Sequence, residues 1–439
     1  MAKLRLTNGG MWLMFAPELA HILLSLIVAA SILLMLIRPR GIAEVYWIGG
    51  GVALLLLLRL IPLSLTVAAV GKGSDVYLFL IGMMLLSELA RECGVFDWLA
   101  SVAVRGARGS CSRLFALVYL AGTVVTIFMS NDATAVVLTP AILAAIRKAK
   151  VEALPYLFAC ALIANAASFV LPISNPANLV VFHAGMPPLG QWLASFGVPS
   201  LISIVSTYAI MRWIFRKQLR ASIEPTIASE PLTGDGKLVM ASLAAMVVVL
   251  LTASALKMDL GLPTCIAALI VTATVSIKSR INPLQLVRAI SWSTLVLVAG
   301  LFILVDAIES IGILRVTQSW LAWVQTLAPA YGALVVGFTV GVANNLVNNL
   351  PLGLIAGGTL ATAHLKGLIA NAVLIGVDLG PNLSVTGSLA TILWLLALRK
   401  EKLNVTFWGF LQVGVIAMPF TLLLSIGGAI LMALLVHSS

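Results

Sequence analysis

Two polar, asparagine-dense breaks interrupt a chain that is otherwise nearly continuous in apolar residues. The first is Ser130-Asn131-Asp132-Ala133-Thr134, closed by Pro140, and the second is Asn344-Asn345-Leu346-Val347-Asn348-Asn349-Leu350-Pro351. Each lies between apolar stretches of about 12–18 residues, short of the ~20 that span a bilayer and suited to half-spanning helices. Two further breaks carry prolines: Ile173-Ser174-Asn175-Pro176-Ala177-Asn178, and Asp378-Leu379-Gly380-Pro381-Asn382-Leu383-Ser384, with Thr386 just beyond. Polar amides and unwound backbone are tolerated in hydrocarbon only where they pair or line a wet cavity. Four such breaks point to a solute pathway.

Asparagine both donates and accepts hydrogen bonds, and the freed carbonyls and helix ends at proline breaks add further poles. The set Ser130, Asn131, Thr134, Ser174, Asn175, Asn178, Asn344, Asn345, Asn348, Asn349, Asn382, Ser384 and Thr386 suits a small, neutral, polyhydroxylated solute. Two carboxylates fall in the same breaks, Asp132 and Asp378. A carboxyl in a low-dielectric site exchanges protons nearer neutrality than one in water, so both are candidates to carry a coupling proton. Asp132, within a tip, is the first choice. It could equally cap the helix that follows, and Asp378 could equally hold a backbone amide or a basic residue.

The elements that position these groups are membrane helices. Of 439 residues, 61% are hydrophobic and 10% charged, with mean hydropathy +1.10; so few charges cannot cover a soluble surface. Met1 to Gly10 lead into a long apolar helix without a small-residue cleavage site, so no removable leader is expected. Apolar segments run roughly over 12–37, 44–70, 76–90, 154–184, 194–214, 237–256, 263–278, 293–309, 368–398 and 406–436. Shorter paired segments at 113–146 and 331–363 read as re-entrant hairpins with the two asparagine motifs at their tips. Segments 91–112 and 313–330, with Trp98, Trp320 and Trp323, suit interfacial helices.

With Arg38 and Arg40 placed in the cytoplasm, that side collects 20 Lys and Arg against 6 outside, and Arg59 falls within a span. The bias supports ten spans and two hairpins, the first hairpin entering from the cytoplasm and the second from outside. Both termini then lie outside, a vote resting on Lys3 and Arg5.

The halves repeat. Gly82 to Gly94 aligns with Gly300 to Gly312, matching Glu88 to Asp306, and Ile163-Ala164-Asn165 aligns with Ile369-Ala370-Asn371, each followed by a polar, proline-containing break. The expected fold is therefore all-α and polytopic: two inverted repeats, about ten transmembrane helices, two re-entrant hairpins and broken helices at the midplane. In chain order this gives N-terminal spans over 1–75, a first repeat over 76–214, and a cytoplasmic linker over 215–236. Scaffold spans over 237–292, a second repeat core over 293–398 and a C-terminal span over 399–439 follow.

Several classes are disfavoured. The net charge of +11 is spread through loops, leaving no basic face for nucleic acid. Cys93, Cys111, Cys160 and Cys265 form no C-x-x-C pair and read as small apolar residues; no metal ligand set or cofactor is expected. No phosphate loop, H-E-x-x-H or G-x-S-x-G occurs, which argues against an ATPase or an intramembrane hydrolase. Paired broken helices suit a carrier more than a channel. Glu88 and Asp306 read as structural or interfacial, and His183 as a lip or core residue.

The tip Phe128-Met-Ser-Asn-Asp-Ala-Thr134 with Leu138-Thr-Pro140, the break Ile173 to Asn178 and the second tip Asn344 to Pro351 resemble the ArsB arsenite/antimonite efflux permeases, over nearly the whole chain. The S-N-D tip is also similar to a wider ion-transporter superfamily that includes Na+/dicarboxylate symporters and some Na+/H+ antiporters. Those symporters carry Ser-Asn-Thr at both tips. Here Asp132 takes the third place in the first tip, and the second tip lacks the triplet. The resemblance implies export of arsenite and antimonite by H+ antiport across the inner (plasma) membrane, with an elevator-type motion and an optional cytoplasmic ArsA-type ATPase partner. Arsenous acid is neutral at pH 7 and carries three hydroxyls, which agrees with an amide-rich site free of Arg and Lys. One charge moved through 100 mV is worth about 2.3 kcal/mol, enough for roughly a 50-fold gradient. The alternatives are a Na+-coupled organic-anion carrier or Na+/H+ antiporter of the same fold, and the membrane subunit of an ArsA-type ATP-driven pump.

Overall fold

The computed structural model describes residues 17–183, 185–223 and 231–438. The basic residues of the extreme N-terminus and the middle of the linker lie outside them. The described residues form helices joined by short turns, with a single isolated β-bridge between Ser110 and Ser222. Among the described residues, eight helices are long and apolar enough to cross a membrane, and a ninth span results if the bent pair Leu63–Lys72 and Ser74–Glu92 is one. The sequence count of ten differs for a physical reason. The expected span 44–70 and the two proline-broken spans are each divided into helices too short to cross alone, and 76–90 counts only as part of the bent pair, which removes four; the first hairpin limbs, Cys111–Phe128 and Pro329–Val347, are long enough and add two.

The chain divides into two compact units, residues 1–74 with 292–317, and 75–291 with 318–439. In the smaller unit, Pro17–Ile37, Glu44–Leu57, Leu63–Lys72 and Trp292–Ser310 pack together. Gly300 lets its helix lie directly on Ile48, where an added methyl would clash, the close approach that small residues permit between membrane helices. Lys72 pairs with Asp306 at 2.6 Å, and Arg38 with Glu44 at 3.0 Å. Arg59 sits exposed in the turn after Glu44–Leu57, at φ +52°, rather than inside a span.

The larger unit carries every predicted binding residue. Its amphipathic helix Val95–Gly106 precedes a hairpin: Cys111–Phe128, a tip at Ser130–Ala133, a π-helical turn at Thr134–Leu138 and a second limb Thr139–Lys148. A broken span follows, Leu154–Ala166 and Pro176–Val181. Pro172 and Pro176 remove donors at the break, and Asn175 restarts the helix by accepting from Ala177 N at 3.0 Å. The long helix Leu189–Ile214 packs along Phe407–Ser438. The second hairpin is Pro329–Val347 and Asn349–Thr362, and the second broken span is Leu368–Leu379 and Leu389–Lys400, restarted by Ser388. Along the chain the same order of elements thus occurs twice: long helix, amphipathic helix, hairpin, broken span, long helix.

Candidate functional site

At the first tip, Ser130 Oγ accepts from Ala133 N at 3.1 Å, so the serine, not Asp132, caps the following turn. Asp132 is partly exposed, and among the described residues no basic side chain pairs with it. Asn131 is 2% exposed, yet its Oδ1 has no donor. Thr134 is held inside the hairpin, 2.8 Å from Thr126 Oγ1, and its carbonyl accepts from Thr139 Oγ1 at 2.9 Å. The extra residue of the π turn breaks the regular α ladder there; such turns gather at functional positions.

The second tip is bonded outward. Asn344 Nδ2 donates to the Gly376 and Val377 carbonyls at 2.9 and 2.8 Å. Asn345 donates to the Gly341 and Gly380 carbonyls, each at 3.0 Å, and its Oδ1 accepts from Ser384 at 2.7 Å. Thr386 donates to the Asn345 carbonyl at 3.0 Å, Asn348 Nδ2 donates to the Thr386 carbonyl at 3.2 Å, its Oδ1 accepts from Leu350 N at 3.5 Å, and Asn349 N donates to the Gly387 carbonyl at 3.0 Å. Asn348 adopts φ +74° with ψ 154°, a region costly for a side-chain-bearing residue.

The two broken spans are joined to each other. Asn175 Nδ2 donates to Asp378 Oδ1 at 2.6 Å. Asn165 Nδ2 donates to Asn382 Oδ1 at 2.9 Å, and Asn382 Nδ2 to the Leu162 carbonyl at 3.1 Å. Asn178 Nδ2 faces the Ser168, Leu171 and Pro172 carbonyls. Ser174 donates to the Ile127 carbonyl at 2.9 Å, fastening the first break to the first hairpin. Helix packing crosses over: the first hairpin's tip and π turn lie against Leu389–Lys400, and Asn349–Thr362 lies against Pro176–Val181. Gly357 is required there, because a methyl would strike the Val181 carbonyl.

The structure thus sorts the predicted residues. Asn382, Asn345, Ser384 and Thr386 spend their polar groups holding the backbone together. Asn131, Asn178, Asn344 and Asn349 each keep a buried Oδ1 without a donor, as does Asn165, and Asp378 keeps an unpartnered Oδ2 although it is wholly buried. The five amide oxygens are acceptors, and the Asp378 oxygen is one while its carboxyl is ionised. Asn165 was absent from the predicted set; its signal was an asparagine inside an uninterrupted apolar helix. Ser168, Ser388 and Thr391, which brace the breaks, look unremarkable in sequence. Among the described residues, no cluster of three or more His, Cys, Asp or Glu could hold a metal ion.

The sequence profile of a citrate transporter family, CitMHS, matches residues 11–398. An arsenical pump membrane protein of Escherichia coli is 27% identical over 350 residues, covering 76% of this chain and 81% of that protein. A putative arsenical pump membrane protein of Bacillus subtilis is 25% identical over 419 residues, covering 89% and 94%. An uncharacterized transporter of Mycobacterium tuberculosis is 22% identical over 372 residues, covering 81% and 85%. Among solved structures, the YdaH transporter of Alcanivorax borkumensis superposes with TM-score 0.57 at 13% identity, covering 95% of this chain and 98% of that one; this likeness concerns the fold.

Proposed function

The chain belongs to the citrate transporter family CitMHS, and from that premise we propose that it is a secondary exporter of arsenite and antimonite driven by H+ antiport. The observation that carries this reading is the excess of buried acceptors. Five amide oxygens at the tips and breaks, with the Asp378 carboxyl, have no protein donor, and the motifs contain no Arg or Lys. A buried polar group without a partner is costly, so a solute that brings O–H groups fits such a set. Citrate at neutral pH would bring carboxylates, aligning acceptor with acceptor. Arsenous acid and its antimony counterpart bring three hydroxyls and no charge. The names of the E. coli and B. subtilis relatives favour the same cargo.

In this reading Asp132 carries the coupling proton, with Asp378 the second candidate. Asp132 is the ionisable group of the tips and is bound by no counter-ion among the described residues. The recurring element order supports two inverted repeats, with re-entrant hairpins and an elevator-type movement of hairpins and broken spans. One second reading has its own support. Six oxygens without donors could equally coordinate Na+, which would make the chain a Na+-coupled carrier.

The test is accumulation of arsenite by inverted vesicles bearing this chain alone, with and without an uncoupler, at varied Na+. Accumulation abolished by the uncoupler and indifferent to Na+ is expected. Dependence on Na+ would favour the second reading, and a requirement for ATP and a soluble partner would make the chain a pump subunit.

A further inference from the structure

Several basic side chains have acid partners: Arg38 with Glu44, Lys72 with Asp306, Arg91 with Glu88 and Glu92, and Arg147 with Glu401. One face differs. At the entry of the first hairpin, Ile223 N donates to the Gly109 carbonyl at 2.9 Å, and Ser112 Oγ donates to the Leu219 carbonyl at 3.0 Å. These bonds fasten the start of the linker to the start of Cys111–Phe128. They gather Arg108, Arg113, Arg216, Lys217 and Arg220, all exposed. Exposed Arg212 joins them through Tyr208: it donates to that hydroxyl at 3.1 Å, and the Tyr208 ring packs against Phe115 and Tyr119 of the hairpin. No Asp or Glu occurs between Asp97 and Asp132, or between Glu152 and Glu224. Among the described residues, no carboxylate pairs with any of the six cations.

The height of this face is marked by Trp213. It lies 57% exposed at the end of Leu189–Ile214, a helix long and apolar enough to cross a membrane, and the Arg216 guanidinium sits 5.3 Å from its ring centroid. Exposed tryptophan at the end of such a helix belongs at headgroup level. Arg212 and Arg216 flank it, and so lie where lipid phosphates are, rather than out in water where a soluble partner would meet them. Apolar stripes lead up to the cations. Leu201 and Val205 share a helix face with Arg212, and Leu120 and Val124 share one with Arg113. All four apolar side chains are exposed. Charge at the end of an apolar stripe matches a molecule that carries phosphate at the end of hydrocarbon chains.

We propose that this face is a binding site for an anionic phospholipid, with its phosphate shared among the arginines and an acyl chain laid along Leu201 and Val205. The guanidinium fork suits phosphate oxygens, and basic clusters beside membrane helices attract anionic lipid. The site goes beyond the transport reading and does not depend on the cargo. The cations come from the turn before the hairpin, from its first limb, from the end of Leu189–Ile214 and from the linker. A bound lipid therefore ties four segments together at the foot of the first limb.

The test is thermal melting of the purified full chain in neutral detergent, with phosphatidylglycerol, phosphatidylcholine, glycerol 3-phosphate or polyglutamate added. Phosphatidylglycerol should raise the melting temperature by about 5 °C or more, and the other three by less than about 1 °C. No shift, or an equal shift from phosphatidylcholine, would overturn the site. A matching shift from glycerol 3-phosphate would make it a free-phosphate site, and one from polyglutamate a docking face for an acidic protein; either would overturn the lipid. Native mass spectrometry then compares two triple variants. Arg113→Gln, Arg216→Gln and Arg220→Gln together should weaken phosphatidylglycerol binding by about tenfold or more. Arg399→Gln, Lys400→Gln and Lys402→Gln remove three exposed cations elsewhere and should leave binding within about twofold. Equal losses in both would reduce the attraction to overall charge and overturn the site. Should the first triple fail to fold, Arg113→Gln alone must still weaken binding by about threefold; unchanged binding in that folded variant would overturn the proposal.

Discussion

The two hairpin tips occupy corresponding places in the element order and are held in opposite ways. The first is bonded almost wholly within its own hairpin, through Ser130, Thr126 and Thr139. One hydrogen bond, from Ser174 to the Ile127 carbonyl, reaches it from the first break. The second is bonded to the second break by Asn344, Asn345, Asn348, Asn349, Ser384 and Thr386. The acid lies on the loosely held tip and the strained backbone on the fixed one. A group that must take up and release a proton needs water and freedom to move. A set of amide oxygens that must recognise a shape needs rigid support. On the proposed function, we read the contrast as coupling at the first tip and recognition at the second, shared with the breaks.

The sharpest way to break this contrast is Asp132→Asn. We expect proton-driven accumulation to fall by more than 100-fold while the melting temperature stays within about 2 °C, because the side chain is partly exposed and unpaired; thermal melting and vesicle flux measured together check this. Asn345→Ala at the other tip should do the reverse in kind. It removes bonds to the Gly341 and Gly380 carbonyls and to Ser384, and at about 1 kcal/mol for each of the three should destabilise the fold by about 3 kcal/mol. Flux per folded molecule should fall about tenfold.

Asn349→Leu takes away one unpartnered acceptor and leaves the backbone bond to Gly387 in place. It should weaken arsenite binding by roughly tenfold, about 1.4 kcal/mol, with proton dependence unchanged; equilibrium binding at two pH values decides it. The smallest effect is expected for Asn348→Gly. Relief of the φ +74° conformation, of order 1 kcal/mol, offsets the lost bond to the Thr386 carbonyl and the long 3.5 Å cap from Leu350 N. Stability should change by less than about 1 kcal/mol, and a loss larger than that would show the side chain, not the backbone shape, to be the reason for asparagine there.

Much of this was legible in the sequence because hydrocarbon punishes exceptions. Asparagine and proline inside apolar runs are conspicuous, so both tips, both breaks and the two amphipathic helices with Trp98 and Trp320 were found within a few residues. The pairing of groups distant in sequence was not legible. Nothing in the chain order says that Asn175 will clasp Asp378, or that Asn165 will meet Asn382. Nor does composition tell a recognising asparagine from one consumed in fastening backbone, as Asn382 and Asn345 are. Arg59 was placed in a span because its neighbours are leucines, whereas the chain turns at that residue.

The division between a coupling tip and a recognising tip is tested most directly by one flux comparison. Inverted vesicles carrying the wild type or Asp132→Asn are given equal arsenite on both sides, and an inward-acid pH gradient is imposed. The account predicts uphill accumulation in the wild type. In the variant it predicts none, yet arsenite binds with unchanged affinity. Uphill accumulation by Asp132→Asn at the wild-type rate would contradict it.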